Sequence, residues 1–295
     1  MTTVSSKTYR EPSQTYREKI AQVRRTIESA DAIVVGIGAG MSTAAGLTYA
    51  GERFEHIFGD FASKYGFTDM YTAGFHPFPT LEEHWAFWSR NIWHNRYEPA
   101  PKDTYGKLAR LLEGSDHFVI TTNVDHQLQK AGIPKERLFY TQGDYGLWQC
   151  SKPCHAKTYD NYETVRLMVE RQRDMRVPAE LIPHCPVCGR PMTMNLRIDG
   201  TFVEDEGWHA AADRYHAFLD EHRTGEVLYL ELGVGGNTPG IIKYPFWQRT
   251  AANPRATYAC VNLGEAFVPP EISERSVLLD ADIDQVLGDL LAQNE

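Results

Sequence analysis

Four of the five cysteines fall in two close pairs. Cys150 and Cys154 have three residues between them, and Cys185 and Cys188 in CPVCG have two. A tight turn points both thiolates of such a pair in one direction, so two pairs can surround Zn²⁺ as a tetrahedron. Sulfur then fills all four positions and leaves none for water. The spacing therefore predicts a structural zinc site rather than a catalytic one.

The remaining thiol and two histidines are assigned to simpler roles. His155 and His184 flank the cysteine pairs and are predicted to be surface residues, although either could replace a cysteine as a ligand. Cys260 lies within an apolar strand and is predicted to be a core thiol. The alternative for the four paired cysteines is that they are ordinary buried or redox-active thiols.

A glycine-rich turn follows the first apolar run, in AIVVGIGAGMS. Glycines after a strand let backbone N–H groups approach a pyrophosphate, and the next helix presents its positive N-terminus to it. Gly38, Ala39, Gly40 and Ser42 are the candidate contacts. The alternative is a turn that binds nothing, in which Ser42 merely caps the helix.

Polar residues stand after two further strands. Asn123 and Asp125 follow HFVITT, and a second glycine segment, GVGGN, follows VLYLEL. Gln142, in FYTQGDYGLWQC, comes after a third strand. Because parallel strands end at one edge of a sheet, these groups are predicted to meet. Alternatively, Asn123 and Asp125 are ordinary turn formers and Gln142 a polar cap on a turn.

The elements that position these residues alternate between strand and helix. Apolar runs that each end in Gly, Asn or Asp are separated by amphipathic stretches such as TYGKLARLLEG. This alternation predicts an α/β protein with a Rossmann-like parallel sheet whose carboxyl edge carries the site. The fold is expected to carry an inserted zinc-ribbon module and a helical insertion.

The domain boundaries follow from the same pattern. Residues 1–14 are predicted to be a mobile N-terminal tail. Residues 15–145 and 205–295 are assigned to a Rossmann-type dinucleotide-binding domain, with the helical insertion at about 50–100. Residues 146–204 are assigned to the small zinc-binding module.

Composition restricts the function classes. The chain has 295 residues, 42% apolar content and a formal net charge of −9, and no apolar run is long enough for a membrane helix. The charge disfavours nucleic acid and anionic lipid as partners. An N-terminus without an apolar secretory segment, and thiols that must stay reduced, favour the cytoplasm.

The ordered set of motifs resembles the sirtuin family. GAGMSTAAG, TTNVDHQLQKAG, the paired cysteines, NLRIDGTF, LGVGGN, CVNLG and DADIDQVLGDLL occur in the family's order over nearly all of the chain from about Ala32. The resemblance implies NAD⁺ as co-substrate and a structural Zn²⁺. It also implies a set of cofactor contacts: Gly38, Ala39, Gly40 and Ser42 at the pyrophosphate, Asn123 and Asp125 at the nicotinamide and its ribose, Gly233, Gly235 and Asn237 in the second glycine segment, and Asn262, Asp282 and Ile283 at the adenosine.

The chain departs from the sirtuin deacylases at the base. Gln142 stands where they have a histidine, and an amide cannot accept a proton near neutral pH, a loss that typically costs about 10²–10⁴ in rate. The usual Pro-Asp-Phe-Arg segment is absent, and Arg53 and Phe54 are its nearest equivalents. The peptide-pairing segment is replaced by RIDGTFVEDEG.

These departures resemble the macrodomain-linked sirtuins of microbes, which are associated with protein ADP-ribosylation. The implied acceptor is a protein, with a lipoylated carrier like the glycine-cleavage H protein as one candidate, and the implied second partner is an operon-linked macrodomain hydrolase. An ionised acceptor side chain could attack the ribose carbon without a base, with Asn123, Asp125, Gln142 and Arg197 as the implied catalytic residues. Gln142 is also an implied cofactor contact, since it could orient the ribose. Arg197 could hold phosphate or an acidic acceptor, or form a surface salt bridge.

Three rival functions remain compatible with the sequence. A weak lysine deacylase would release O-acyl-ADP-ribose. An NAD⁺ glycohydrolase would consume NAD⁺ without an acceptor protein. A non-catalytic NAD⁺ or ADP-ribose sensor would bind the nucleotide and leave it intact.

Overall fold

The computed structural model describes residues 15–236 and 239–292. The predicted tail, residues 1–14, lies outside the described residues. The strands are β1 (Ala32–Ile37), β2 (His117–Thr121), β3 (Leu138–Tyr140), β4 (Gly143–Cys150), β5 (Tyr159–Asp160), β6 (Met192–Leu196), β7 (Val227–Leu232), β8 (Thr257–Val261) and β9 (Ser276–Leu279).

Eleven α-helices occur in the described part of the chain. They are α1 (Tyr16–Ser29), α2 (Ala39–Ala44), α3 (Glu52–Tyr65), α4 (Met70–Gly74), α5 (Leu81–Ile92), α6 (Thr104–Leu111), α7 (Gln127–Lys130), α8 (Tyr162–Arg171), α9 (Glu206–Glu221), α10 (Lys243–Ala252) and α11 (Ile283–Leu291). A π-helical turn, Trp93–Tyr97, continues α5. Short 3₁₀ turns precede β3 and β9.

The main sheet has six parallel strands in the order β3-β2-β1-β7-β8-β9. This is the Rossmann order, in which the chain leaves β1 toward one edge and later returns to its other side. Ligands of such sheets bind outside the carboxyl ends of the strands at that switch point. The predicted α/β class and Rossmann-like sheet are confirmed.

The strand register brings the strand ends level. Ile37 at the end of β1 is opposite Thr121 of β2 and Leu232 of β7, and Leu232 is opposite Val261 of β8. Thr121 is also opposite Tyr140 of β3. The loops that follow these strands therefore start from one line across the sheet, which is why residues far apart in sequence share one edge.

Alternation along the strands supplies both faces of the sheet with apolar side chains. Ile33, Val35 and Ile37 of β1 pack in the core with helices α1, α6 and α11. Ala32 and Val34 point to the other face and pack with α9 and α10. Strands buried on both faces are typical of a parallel sheet covered by helices.

A second core joins the helical insertion to a small sheet. The aromatic residues of α3 and α5 pack together with Trp148 of β4 and with Met192 and Met194 of β6. Strands β4, β5 and β6 form an antiparallel sheet in the order β5-β4-β6. The domain boundary proposed at residues 145 and 146 stays a prediction.

No helix among the described residues is long and apolar enough to cross a membrane.

Candidate functional site

Two glycine loops touch each other at the switch point of the sheet. Gly40 N–H donates to the Gly233 carbonyl oxygen at 2.9 Å, and Gly38 N–H donates to that of Leu232 at 3.0 Å. A Cβ on Gly38 would lie 2.5 Å from the Gly233 oxygen, and one on Gly40 would lie 2.7 Å from the Gly233 Cα. The glycines are therefore required for the packing of the loops, besides any role toward a ligand.

Asn123 spans the gap between the loop after β2 and the first glycine loop. Its Nδ2 donates to the Gly38 carbonyl oxygen at 2.9 Å and to Ser42 Oγ at 3.0 Å. Its own N–H donates to Thr121 Oγ1 at 3.0 Å. These bonds fix the amide plane, so its carbonyl oxygen has one defined direction.

Asp125 is a buried carboxylate with three donors. Ser42 Oγ donates to its Oδ2 at 2.5 Å, Tyr105 Oη donates to the same oxygen at 3.3 Å, and Gln127 N–H donates to Oδ1 at 3.3 Å. Burial raises the pKa of Asp125, and the Ser42, Gln127 and Tyr105 hydrogen bonds and the charge of Arg96 oppose that rise. The arrangement keeps a desolvated acid in one orientation.

A cavity of about 390 Å³ opens between these loops and the helical insertion; we name it the cleft cavity. The predicted residues on its wall are Ala39, Asn123, Gln142 and Arg197. Its other wall is mostly apolar and includes residues of α4 and α5 and the end of β6. The other lining residues are Tyr49, Met70, Tyr71, Gly74, Phe75, Trp88, Asn91, Thr122, Val124, Tyr145, Leu196 and Ile198.

Gln142 reaches the cleft cavity with a loosely held side chain. Its side-chain Nε2 has one hydrogen bond, to Thr141 Oγ1 at 3.5 Å. Its main-chain carbonyl oxygen accepts from the main-chain N–H of Arg197 at 3.0 Å. The backbone is thus fixed and the amide can turn toward a ligand. An amide both donates and accepts hydrogen bonds but does not titrate.

Arg197 lines the same cavity and already has an acidic partner. Its Nη2 lies 2.5 Å from Glu204 Oε1, and its Nε donates to the Thr141 carbonyl oxygen at 3.3 Å. The guanidinium also lies over the rings of Phe202 and Trp208, at 4.3 and 5.4 Å. Of the two roles predicted for Arg197, the salt bridge is present.

The residues expected at the adenosine form a second group along the edge. Asn262 Nδ2 donates to the Val234 carbonyl oxygen at 3.1 Å, Asp282 caps α11 by accepting from Gln285 N–H at 3.0 Å, and Ile283 is buried. None of these three lines the cleft cavity formed by the described residues. The last predicted members of the glycine segment are Gly235, which is exposed, and Asn237, which lies outside the described residues.

The two nearest equivalents of the missing Pro-Asp-Phe-Arg segment are not among the residues that line the cleft cavity. Arg53 donates to the carbonyl oxygens of Thr48 and His94, at 2.9 and 2.7 Å, and Phe54 is buried in the core of the helical insertion. The exposed rings of Tyr71 and Phe75 line the cavity instead. The sequence contains no motif that marks these two rings.

The four paired cysteines converge as predicted. All four Sγ atoms lie within 4.8 Å of one another, with 3.5 Å between Cys150 and Cys188 and 3.7 Å between Cys154 and Cys185. Zn–S bonds of about 2.3 Å in a tetrahedron require sulfurs about 3.8 Å apart. The distances fit, so the cluster could hold a zinc-sized ion with no open position. Cys260 is buried in β8, as predicted.

His155 differs from its predicted surface role. His155 is half-buried. Its Nε2 is 2.8 Å from Tyr159 Oη, and its Nδ1 is 3.0 Å from Cys154 Sγ. It belongs to the surroundings of the cluster rather than to its four sulfurs, and such outer groups orient metal ligands. His184 is exposed, as expected.

Solved structures of Sir2 enzymes share this architecture. One, bound to a propionylated peptide, matches with a TM-score of 0.59 and 19% identity over 92% of this chain and 97% of the other. A second, with a p53 peptide and NAD⁺, matches with a TM-score of 0.55 and 18% identity over the same shares. At this identity the likeness shows the fold. No protein-family model matches.

A protein ADP-ribosyltransferase of Staphylococcus aureus (strain Mu50 / ATCC 700699) is 44% identical over 273 residues, which cover 92% of this chain and 87% of that protein. The chain belongs to the sirtuin-type protein ADP-ribosyltransferases. A probable bifunctional ADP-ribose hydrolase/ADP-ribosyltransferase of Fusarium oxysporum f. sp. cubense is 30% identical over 297 residues. The match covers 92% of this transferase and 47% of that longer protein. The protein is thus an enzyme that transfers ADP-ribose, and the family predicted from the sequence is confirmed.

Tyr105 is a further residue of the candidate site that the sequence pattern does not reveal. In DTYGKLARLLEG it is one more apolar position of an amphipathic helix, and it is indeed buried in the core. Its hydroxyl nevertheless lies 3.0 Å from Ser42 Oγ besides its bond to Asp125. Periodicity locates a buried ring but not the partner of its hydroxyl, so only the fold could find it.

Proposed function

We propose that the cleft cavity transfers ADP-ribose from NAD⁺ to an ionised side chain, such as a carboxylate, of a protein acceptor. The observation that carries the proposal is the 44% identity to a protein ADP-ribosyltransferase along most of both chains. Two features support it: the cavity adjoins the Rossmann switch point, and the polar side chain where deacylases place a base is an amide.

NAD⁺ would lie along the carboxyl edge of the sheet. The loop of Gly38, Ala39 and Gly40 would hold the pyrophosphate through backbone N–H groups, with Ser42 behind it. Asn123 and Asp125 would hold the nicotinamide and its ribose. The adenosine would extend toward the second group of predicted residues, which comprises Gly233, Gly235, Asn237, Asn262, Asp282 and Ile283. A Sir2 structure with the same fold is a complex with NAD⁺, which supports NAD⁺ as the co-substrate.

The proposed step needs no general base. The bond between the ribose anomeric carbon and the nicotinamide nitrogen breaks, and its electron pair neutralises the pyridinium as nicotinamide leaves. An oxygen of the ionised acceptor supplies the pair for the new bond, so no proton has to move. Gln142 would orient the ribose or the acceptor by hydrogen bonds, and Arg197 would draw an acidic acceptor toward the cavity while it stays paired with Glu204.

The acceptor we propose is a lipoylated carrier protein similar to the glycine-cleavage H protein. The cleft cavity supports an acceptor with an apolar extension, because Tyr71, Phe75 and Ile198 on its wall are among the exposed large apolar residues. Such exposed apolar positions around one opening are typical of a binding surface. We further propose that a macrodomain hydrolase removes the mark; a relative with both activities in its name supports such a partner.

The cysteine cluster would hold Zn²⁺ in a structural role. Cys150 and Cys154 come from the end of β4, and Cys185 and Cys188 come from the turn before β6, so the ion would tie the two strands of the small sheet together. Arg197 follows β6, and the ion would therefore stabilise one wall of the cleft cavity. Thiolates that must remain reduced are compatible with the cytoplasm.

A transfer experiment with NAD⁺ labelled in its adenylate part tests the proposal. The enzyme is incubated with the lipoylated carrier, the unlipoylated carrier or no carrier, and the label is followed in protein, in free ADP-ribose and in O-acyl-ADP-ribose. We expect label in the lipoylated carrier. Asn123→Ala should abolish it, and Gln142→Ala should lower its rate about tenfold to a hundredfold, as for loss of hydrogen bonds in a transition state.

Gln248→Ala is the matched control, because Gln248 is an exposed glutamine on α10. It should leave the rate unchanged. Label in free ADP-ribose at an equal rate without carrier would indicate a glycohydrolase instead. Label in O-acyl-ADP-ribose with an acyl-lysine peptide, increased by Gln142→His, would indicate a deacylase.

A further inference from the structure

A second cavity lies on the opposite side of the loop that carries Gln142. It has a volume of about 320 Å³ and is enclosed by the β3 end, β4, the loop before α7 and the first turns of α9. We name it the reverse cavity. The two cavities share no lining residue: Gln142 lines the cleft cavity, whereas the next two residues, Gly143 and Asp144, line the reverse cavity.

The two carboxylates of the reverse cavity are already neutralised or bonded. Asp144 accepts from Arg96 Nε at 2.8 Å and Nη2 at 3.4 Å, and from Gly146 N–H at 2.6 Å. Asp205 caps α9 by accepting from Trp208 N–H at 2.9 Å, and it also accepts from the Thr158 hydroxyl. Arg96 therefore neutralises Asp144, whereas the donors to Asp205 are neutral and leave its charge in place.

Two cations of the reverse cavity lack an acidic partner. Lys135 and Arg214 both line it, and neither forms an ion pair with any residue that the structure describes. Arg214 Nε donates only to the Glu136 carbonyl oxygen, at 3.3 Å. Three cations, Arg96, Lys135 and Arg214, outnumber the two carboxylates of the lining, which favours an anion at the opening.

A buried histidine on the wall has one unused nitrogen. The His126 side chain is 8% exposed, and its Nδ1 lies 3.2 Å from Asp144 Oδ2. Its Nε2 is buried without a hydrogen-bond partner among the described residues. Burial lowers the pKa of His126 to about 4, so the ring is neutral at ordinary pH and one nitrogen is left to accept a hydrogen bond. Nε2 has almost no accessible surface, so the His126 ring forms part of the wall rather than an exposed acceptor.

Flat apolar surface completes the lining. The His126 ring stacks on Tyr140 with centroids 3.5 Å apart and planes inclined by 10°, and Trp208 and Leu147 lie on other walls of the reverse cavity. His126 also has a left-handed backbone, with φ of 52°, which is uncommon for a residue other than glycine. A volume of this size is at the lower end of those that hold small molecules, about 300–1,000 Å³.

We propose that the reverse cavity binds a small aromatic molecule that carries one anionic group. The anion pairs with Lys135 and Arg214 at the opening, and the ring lies against Trp208. Trp208 Nε1 donates to the carbonyl oxygen of Thr141 at 3.4 Å. Thr141 precedes Gln142, so a ring on Trp208 would lie beside the loop that carries Gln142. The inference does not depend on which acceptor the enzyme modifies.

Calorimetric titration of the full chain with phenyl phosphate tests the site. Benzoate serves as a second anionic ring, inorganic phosphate as an anion without a ring, and phenol as a ring without a charge. We expect the two anionic rings to bind more tightly than phosphate or phenol. The double variant Lys135→Ala/Arg214→Ala should weaken phenyl phosphate binding about tenfold or more, because it removes both cations that pair with the anion.

Two further variants separate this site from the cofactor cleft. Arg223→Ala removes an exposed arginine beyond the end of α9 and should leave the affinity unchanged. Asn123→Ala should also leave it unchanged, because Asn123 lines the other cavity. Absence of binding by both anionic rings, or an affinity that falls with Asn123→Ala and not with the double variant, would overturn the proposal.

Discussion

Tyr105→Phe removes one hydroxyl from the buried network around Asp125. That hydroxyl lies 3.3 Å from Asp125 Oδ2 and 3.0 Å from Ser42 Oγ, and the phenyl ring can keep the packing of Tyr105 in the core. The change therefore affects hydrogen bonding with little effect on volume. If Asp125 acts on the ribose as an ionised carboxylate, the variant should ionise less readily and hold the carboxylate less firmly in its orientation.

The size of the effect follows from the distances. A hydrogen bond to a charged group contributes about 1.5–3 kcal/mol, and 3.3 Å is long for an O–H···O contact, so we take the lower limit. Ser42 Oγ, at 2.5 Å, still donates to Asp125 in the variant. A loss of about 1.4 kcal/mol corresponds to a tenfold fall in kcat/KM for NAD⁺.

The pH profile distinguishes this role from simple packing. Burial raises the pKa of Asp125, and the Tyr105 hydrogen bond is one of the contacts that lower it again. Without that donor the protonated form of Asp125 becomes relatively more stable and its pKa rises. The acid limb of the pH profile of kcat/KM should therefore move to higher pH. The fall in rate should accordingly be largest at mildly acidic pH and smaller above neutrality.

The assay is nicotinamide release from NAD⁺ in the presence of the acceptor, measured from mildly acidic to mildly alkaline pH. Tyr215→Phe is the matched control, since Tyr215 is a buried tyrosine on the opposite face of the sheet, beside Phe118. An unchanged acid limb in Tyr105→Phe, or an equal fall in rate at every pH, would refute the role assigned to the hydroxyl.

Three other substitutions test the framework of the site. Gly233→Ala should abolish NAD⁺ binding in calorimetry, because φ is +65° and a Cβ would meet the opposing glycine loop at 2.6 Å; Gly264→Ala, with φ of +77° and open space, should cost only the backbone strain, about 1–3 kcal/mol. Cys188→Ser should lower both the bound metal measured by elemental analysis and the Tm. The control Cys260→Ser, in β8, should leave the metal content unchanged. Lys243→Met should lower the free energy of unfolding in urea by about 3–5 kcal/mol, because it leaves the buried Glu231 carboxylate without its cation. Adding Glu231→Gln to this variant should restore most of the lost stability.

The sequence predicted those parts of the structure that follow from local pattern. Apolar runs that end in glycine or a polar residue became the parallel strands, and the cysteine spacing became a cluster with sulfurs 3.5 and 3.7 Å apart. Residues directly after a strand were placed correctly at one edge, because the register in a parallel sheet brings strand ends level. Asn123 and Gln142 meet around the cleft cavity for this reason.

The parts that depend on long-range packing could not be predicted. Tyr71 and Phe75 lie in an aperiodic aromatic region, so nothing local shows which rings enter the core and which face the cavity. Arg53 donates to the backbone carbonyl oxygens of Thr48, in the preceding loop, and of His94, in the π-helical turn, and no spacing encodes such a pair of partners. The close contact of Gly40 with Gly233 is likewise invisible in a chain where the two are nearly two hundred residues apart.

The way Gln142 is held explains how this position could lose a titrating group without loss of the fold. The main-chain carbonyl oxygen of Gln142 accepts from the main-chain N–H of Arg197. The next residue, Gly143, has φ of +99° and no room for a Cβ against the Asn195 carbonyl oxygen. The backbone path is thus fixed by main-chain contacts, while the side chain has one weak contact of 3.5 Å. A change of side chain here would alter the proton chemistry of the cleft cavity and leave its shape intact. In the transfer that we propose, the acceptor's own ionisation is then the requirement.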